Sequence, residues 1–189
     1  MLAARRCPWG ESPEEMRRYH DEEWGRPLRG DRAIFERLSL ESFQSGLSWL
    51  TILRKREAFR AAFDRFDVEA IAAYEGSDVQ RLLADAGIVR HRGKIEAVIA
   101  NARVLSDWQG ADGDDVLDAR VWACATTTVG VPRTQEDIPT TSAEAIALAQ
   151  DLKRRGWRFL GPTTAYAALQ AIGVVNDHIE GCEFREVGP

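Results

Sequence analysis

Four residues able to bind a soft divalent metal sit in two pairs at opposite ends of the sequence: Cys7 and His20, then His178 and Cys182. Thiolate and imidazole suit zinc, and two of each complete a tetrahedron. His178 and Cys182 are four apart, one helical turn, so both can face one ion. Cys7 and His20 are thirteen apart and flank an expected helix start. No spacing rule joins such distant half-sites. By sequence alone, each end could equally hold a free thiol and a core histidine. The third cysteine, Cys124 in VWACA, reads as core packing, and an odd count speaks against a pure disulfide framework.

Three further segments carry chemistry. In Leu40-Glu41-Ser42-Phe43-Gln44-Ser45-Gly46-Leu47-Ser48-Trp49, a carboxylate lies in an apolar setting and an indole follows a break that Gly46 permits. Carboxylate plus indole is what an extruded base requires: an acceptor for its amine and a flat surface to stack on. A capping carboxylate and a core tryptophan would look the same. In Asp85-Ala86-Gly87-Ile88-Val89-Arg90-His91-Arg92-Gly93-Lys94, two expected helices meet at a tight turn with bases after it. Backbone N–H groups at the second helix's start can bind phosphate oxygens, so the segment resembles a helix-hairpin-helix grip on the DNA backbone. Val89 stands where such a turn usually has its second glycine, and an ordinary hairpin with a basic tip fits too. Val174-Val175-Asn176-Asp177-His178 sets a polar triplet after an apolar helix.

The elements expected to position these residues are all helical. Ser12-Pro13-Glu14-Glu15 reads as a capping box with proline at the first helical position. Asp31 is expected to cap a helix bearing Ile34, Phe35, Leu38 and Phe43, and Ser48 to restart one through Trp49, Ile52, Leu53, Phe59 and Phe63. Asp67 opens a short helix, and Ser77-x-x-Gln80 begins another that should end at Gly87. Lys94 to Leu105, Asp114 to Cys124, Ser142 to Arg155 and Thr164 to Ile172 complete the set, and Thr126 to Thr141 reads as a surface loop. Only Trp157-Arg158-Phe159-Leu160 tempts as a strand, and it is too short to matter. The expectation is an all-α fold.

At 189 residues, 44% apolar and 29% charged, the chain is long enough for one core, and residues 1–189 read as a single domain. No apolar run approaches the ~18 residues of a membrane span. The N-terminus turns polar too early for a signal peptide, so a cytoplasmic protein is expected. The net charge of −5 argues against nucleic acid, but nine acids and two arginines fall between Ser106 and Asp151, leaving the remainder at +2. Basic clusters at Arg54–Arg60, Arg90–Lys94 and Lys153–Arg158 could form a cationic face or simply be solvated.

These segments occur together, in order and with matching spacing, in the 3-methyladenine DNA glycosylase I family, which the chain resembles from Cys7 to Cys182. The motifs are C-P-W, Y-H-D-E-E-W-G, L-E-S-F-Q-S-G-L-S-W, D-A-G-I-V-R-H-R-G-K-I, G-P-T-T-A-Y and N-D-H-x3-C. The resemblance implies a helix-hairpin-helix glycosylase fold. In it, one structural zinc on Cys7, His20, His178 and Cys182 joins the terminal segments, about residues 1–30 and 174–189. It implies that Glu41 reads the methylated base as the catalytic carboxylate, with Trp9, Tyr19 and Trp49 around that base. Gly46 and Leu47 would enter the duplex, and Gly87, Arg90, Arg92, Gly93 and Lys94 would grip phosphates. Some relatives carry glycine at the Ser42 position and alanine at Ser45.

The implied activity is excision of 3-methyladenine from alkylated double-stranded DNA by a monomer, in base excision repair. The adduct is cationic and its glycosidic bond already weak, so extrusion into a dry pocket and attack by water suffice. Lyase-competent relatives place a lysine in the hairpin where this chain has His91, so the resemblance implies a monofunctional enzyme. Asp107 and Asp112 lie near the place of an aspartate used by many such glycosylases, but they begin an acidic stretch and receive no role. Two other classes remain: a zinc hydrolase with Asp177 or Glu41 as base, and a binder of alkylated DNA that releases no base.

Overall fold

The computed structural model describes residues 5–125 and 130–187, so residues 126–129 of the expected Thr126–Thr141 loop lie outside the described residues. Among the described residues there are nine α-helices and no strand, and Trp157–Leu160 is irregular backbone. The helices are α1 (Glu14–Glu22), α2 (Asp31–Gln44), α3 (Trp49–Ala62), α4 (Val68–Ala72), α5 (Gly76–Ala84), α6 (Arg92–Asp112), α7 (Val116–Trp122), α8 (Ala143–Arg154) and α9 (Pro162–Ile172). No helix among the described residues is long and apolar enough to cross a membrane.

Helix α2 is the axis of the molecule. Ten of its fourteen residues are buried, so it is wrapped on nearly all sides, by α3, α6, α7 and α9. From it Phe35 and Phe43 meet Phe59, Phe63 and Phe66, with Phe43 and Phe59 ring centroids 4.6 Å apart. All five are fully buried, and each such side chain contributes about 1.5–3 kcal/mol relative to exposure. At the C-terminal end of α9, the Leu28 N–H donates to the Ile172 carbonyl. Gly173 follows with φ +85°, and a Cβ there would meet the Arg26 carbonyl carbon at 2.7 Å, so only glycine fits.

Several helix starts differ from expectation, and at Asp31 the reason is a tertiary partner that takes the capping side chain. Pro13, not Ser12, occupies the cap position of α1, with no side-chain cap. Asp31 lies inside α2, after Gly30, and is buried; its carboxylate accepts from the Asp118 N–H and the Gln109 amide. The capping box of α5 is formed by Glu75 and Asp78, two residues before the expected pair. That helix stops at Ala84, and Gly87 does not adopt a positive φ; instead a Cβ there would press on Asp85 Oδ1 at 2.9 Å and Ala58 at 3.0 Å. Ser48, Asp67 and Ser142 cap α3, α4 and α8 as expected, each accepting a backbone N–H three residues on.

Candidate active site

The two segments that carry these pairs meet. Cys7, His20, His178 and Cys182 are all buried, and their four ligand atoms lie within 4.8 Å of one another. Cys7 Sγ is 3.6 Å from His178 Nδ1, and Cys182 Sγ is 3.6 Å from His20 Nε2 and 3.4 Å from His178 Nδ1. A tetrahedral zinc with bonds of about 2.3 Å to sulfur and 2.0–2.1 Å to nitrogen has sulfur–nitrogen edges of about 3.5 Å, so the donor set fits. The remaining ring nitrogens are held as well. His20 Nδ1 pairs with Asp21 at 2.9 Å, Asp21 is gripped by Arg6, and His178 Nε2 faces the Trp24 carbonyl at 3.4 Å. Such outer partners fix imidazole orientation at metal sites. Burial pushes the Cys7 thiol up to about 12 and the His178 imidazolium down to about 4, so a cation is what would draw thiolates out of this cluster.

Beside the cluster opens a cavity of about 430 Å³, within the range of small-ligand sites. Its walls include Trp9, Tyr19, Glu41 and Trp49, the four residues singled out as base-binding, together with Trp24, Tyr166 and Gln170. Their rings interlock: Trp9 to Tyr19 at 6.2 Å, Tyr19 to Trp49 at 5.2 Å, Trp9 to Trp24 at 4.9 Å. Glu41 is 5% exposed, and its carboxylate has no hydrogen-bond partner among the described residues. Burial pushes it up to about 7, while the Arg37 guanidinium pulls the other way. An unpartnered carboxylate inside an aromatic box favours a flat cation with an N–H to donate.

Sequence reasoning gave no role to Arg37, Gln170 or Tyr166, the last residue of the G-P-T-T-A-Y motif. Arg37 is buried, donates to the Tyr19 hydroxyl at 2.9 Å, and lies over the Tyr19 and Trp49 rings at 5.3 and 5.2 Å. Its only signal is its place four residues before Glu41, on the same face of α2. Tyr166 and Gln170 both donate to Asp177 Oδ2 at 2.7 Å, which binds the cavity wall to the residue preceding His178. That gives the polar triplet a structural task.

At the cavity rim, Gly46 and Leu47 are exposed, Leu47 at 42%, and Gly46 turns the chain with φ +81° between α2 and α3. A smaller cleft lined by Gly46 and Leu47 shares Glu41, Gln44, Thr163 and Ala167 with the cavity. The hairpin of Gly87 to Gly93 presents Arg90 and Arg92 to solvent, Arg92 beside Glu96 at 3.3 Å. Lys94 departs from expectation. It is 7% exposed, and its ammonium donates to the Phe43 and Ser45 carbonyls at 2.9 and 2.6 Å. It caps the last turn of α2 and cannot reach a phosphate from there. Of the two other basic clusters, the first is largely neutralised, Arg54, Arg56 and Arg60 pairing with Glu15, Glu23 and Glu36; in the second, Arg154 and Arg155 share the single Asp151 carboxylate with Arg120.

The methyladenine glycosylase family model matches residues 9–186. The chain belongs to that family. It is 44% identical to the Escherichia coli (strain K12) DNA-3-methyladenine glycosylase 1 over 179 residues, 94% of this chain and 95% of that one. Its fold is similar to 3-methyladenine DNA glycosylase I from Staphylococcus aureus, with a TM-score of 0.89 and 34% identity, covering 97% of this chain and 98% of that one. It is similar too to a variant 3-methyladenine DNA glycosylase I in complex with 3-methyladenine, with a TM-score of 0.88 and 34% identity over 95% of this chain and 97% of that one. The family match thus spans the cavity, the hairpin and His20, His178 and Cys182, with Cys7 two residues before it.

Proposed function

We propose that this chain is a monofunctional DNA glycosylase that extrudes 3-methyladenine from alkylated duplex DNA and hydrolyses its N-glycosidic bond. The observation that carries the reading is the unpartnered Glu41 carboxylate at the wall of an aromatic cavity. The methylated base brings a positive charge and an exocyclic amine. Glu41 accepts the amine, and Trp9, Tyr19 and Trp49 enclose the ring. In this water-poor setting the charge pairing is far stronger than in solution, and neutral adenine gains none of it. Bond cleavage sends the C1′–N9 electron pair into the base, which leaves neutral. A water oxygen bonds to C1′ and its proton passes to solvent, leaving an abasic sugar.

The hairpin from Gly87 to Gly93 acts as a helix-hairpin-helix phosphate grip through Arg90, Arg92 and backbone N–H groups. Gly46 and Leu47 fill the space the base vacates. Lys94 ties the two together, since its carbonyl partners, Phe43 and Ser45, lie in the turn of chain leading into Gly46. Cys7, His20, His178 and Cys182 hold one zinc, which supplies a structural clamp: four protein ligands leave no open position for water. One domain, acting as a monomer in the cytoplasm, comprises all of these parts. High-performance chromatography of supernatants from methylated duplex DNA tests the reading. Free 3-methyladenine appearing with enzyme is expected; a protein that retains damaged DNA but frees no base would overturn it.

A further inference from the structure

Arg37 is a buried cation beside a cavity read as built for a cation, and that apparent conflict needs an account. Its side chain is spent on three things. It donates to the Tyr19 hydroxyl at 2.9 Å, it covers the Tyr19 and Trp49 rings at 5.3 and 5.2 Å, and it stands 3.8 Å from Glu23. One helical turn on, Glu41 lines the cavity. The hydroxyl of Tyr19, a residue only 3% exposed, accepts from Arg37 and has no acceptor for its own proton among the described residues. A phenol whose oxygen is occupied by a guanidinium is left as a donor.

We infer that Arg37 is the specificity-determining positioning residue of this cavity: it fixes Tyr19 as a donor and Glu41 as an acceptor-only carboxylate, a pair that matches adenine and rejects guanine. The inference rests on the glycosylase reading and names what that site discriminates. An adenine presents an amine donor beside a ring-nitrogen acceptor. A guanine presents a carbonyl oxygen at the same corner, which would face the Glu41 oxygens lone pair to lone pair. A protonated Glu41 would instead donate to that carbonyl, so discrimination depends on keeping Glu41 ionised.

The charges around Glu41 make Arg37 the group in control. Burial alone raises Glu41, and Arg37 is the charge that opposes it. On α1, Tyr19 is held neutral by burial, and just past the end of that helix Glu23 is engaged by Arg56 of α3 at 2.8 Å. From the α9 side, Asp177 takes the hydrogen bonds of Tyr166 and Gln170. Glu36, which also faces Arg37, is paired with Arg60 at 2.7 Å. Without Arg37, Glu41 retains its proton to higher pH. The cation beneath the rings also weakens their pull on a cationic purine as such, which leaves selection to hydrogen bonding.

The test is single-turnover release of 3-methyladenine and 3-methylguanine from one methylated duplex preparation, followed from pH 5.5 to 8.5. The parent protein is expected to favour 3-methyladenine, with that preference shrinking as pH falls through about 7. Arg37→Met is expected to reduce the ratio of the two rates about tenfold at pH 7.5 and to move its pH dependence upward. Arg37→Lys, which keeps the charge, is expected to restore most of the ratio. Melting and circular dichroism confirm that each variant is folded; a general packing defect would slow both bases equally. An unchanged ratio and pH profile in folded Arg37→Met overturns the inference while leaving the glycosylase reading standing. If Arg37→Met does not fold, Arg37→Lys and the parent's own pH-dependent ratio decide: a ratio flat across pH 7 overturns it. Absence of any 3-methyladenine release by the parent fails the functional reading instead.

Discussion

Glu41 sits where stability and use conflict. Its carboxyl is pushed up to about 7 from an ordinary 4.5, so the folded state binds that proton more tightly than the unfolded chain does. The contribution is complete below pH 4.5 and is lost as pH rises through about 7, a change on the order of 3 kcal/mol. Glu41→Gln carries no charge to bury. It is expected to melt higher than the parent at pH 8, with the difference shrinking toward pH 5 in paired thermal scans. The same variant is expected to release 3-methyladenine about 10- to 100-fold more slowly, because a charge-assisted hydrogen bond worth about 1.5–3 kcal/mol is gone. An equal melting difference at both pH values would show that Glu41 is not the ionised group in the cavity.

Between elements, the contact that matters most is the one from α6 back to the end of α2. Lys94→Met is expected to cost about 1–3 kcal/mol, since the Phe43 and Ser45 carbonyls lose their donor, yet to leave the salt dependence of DNA binding unchanged. Replacing Arg90 and Arg92 with alanine is expected to do the reverse. Stability should hold, while the slope of log affinity against log salt falls by up to about 2, one phosphate contact per arginine. Fluorescence anisotropy across a salt series separates the two variants. The contrast also marks what the sequence could convey. Apolar spacing made the helices legible, and local capping placed Ser48, Asp67 and Ser142. Lys94 was unreadable because its partners are 51 and 49 residues away, and Asp31 because its partner is 87 away. In the cavity, Glu41, Trp49, Tyr19 and Trp9 stood out through motif resemblance. Arg37 did not, because an arginine within FERLSLE reads as solvent-facing until the tertiary structure encloses it.

For the whole molecule, the cluster at the chain ends is expected to govern stability. Metal analysis of untagged protein should give about one zinc per chain, and Cys182→Ser should bind zinc poorly and melt earlier. Any Cys182→Ser protein that stays folded should still release base, since Glu41 and Trp49 are not ligands. A metal-free protein that melts where the parent does would remove the clamp. The enclosure of Cys7 also has a bearing on synthesis. This thiol is fully buried, and Ile179 and Cys182 form its cover. His178, which it faces, is 171 residues later in the chain. At about 5–20 residues per second, a ribosome needs roughly 10–35 s to make that span, during which Cys7 and His20 lack the His178 and Cys182 side chains. A chain released before Cys182 therefore keeps Cys7 open to thiol reagents, to metals and to a second nascent chain. Alkylation of that one thiol would distinguish finished molecules from interrupted ones before any difference in helix content does.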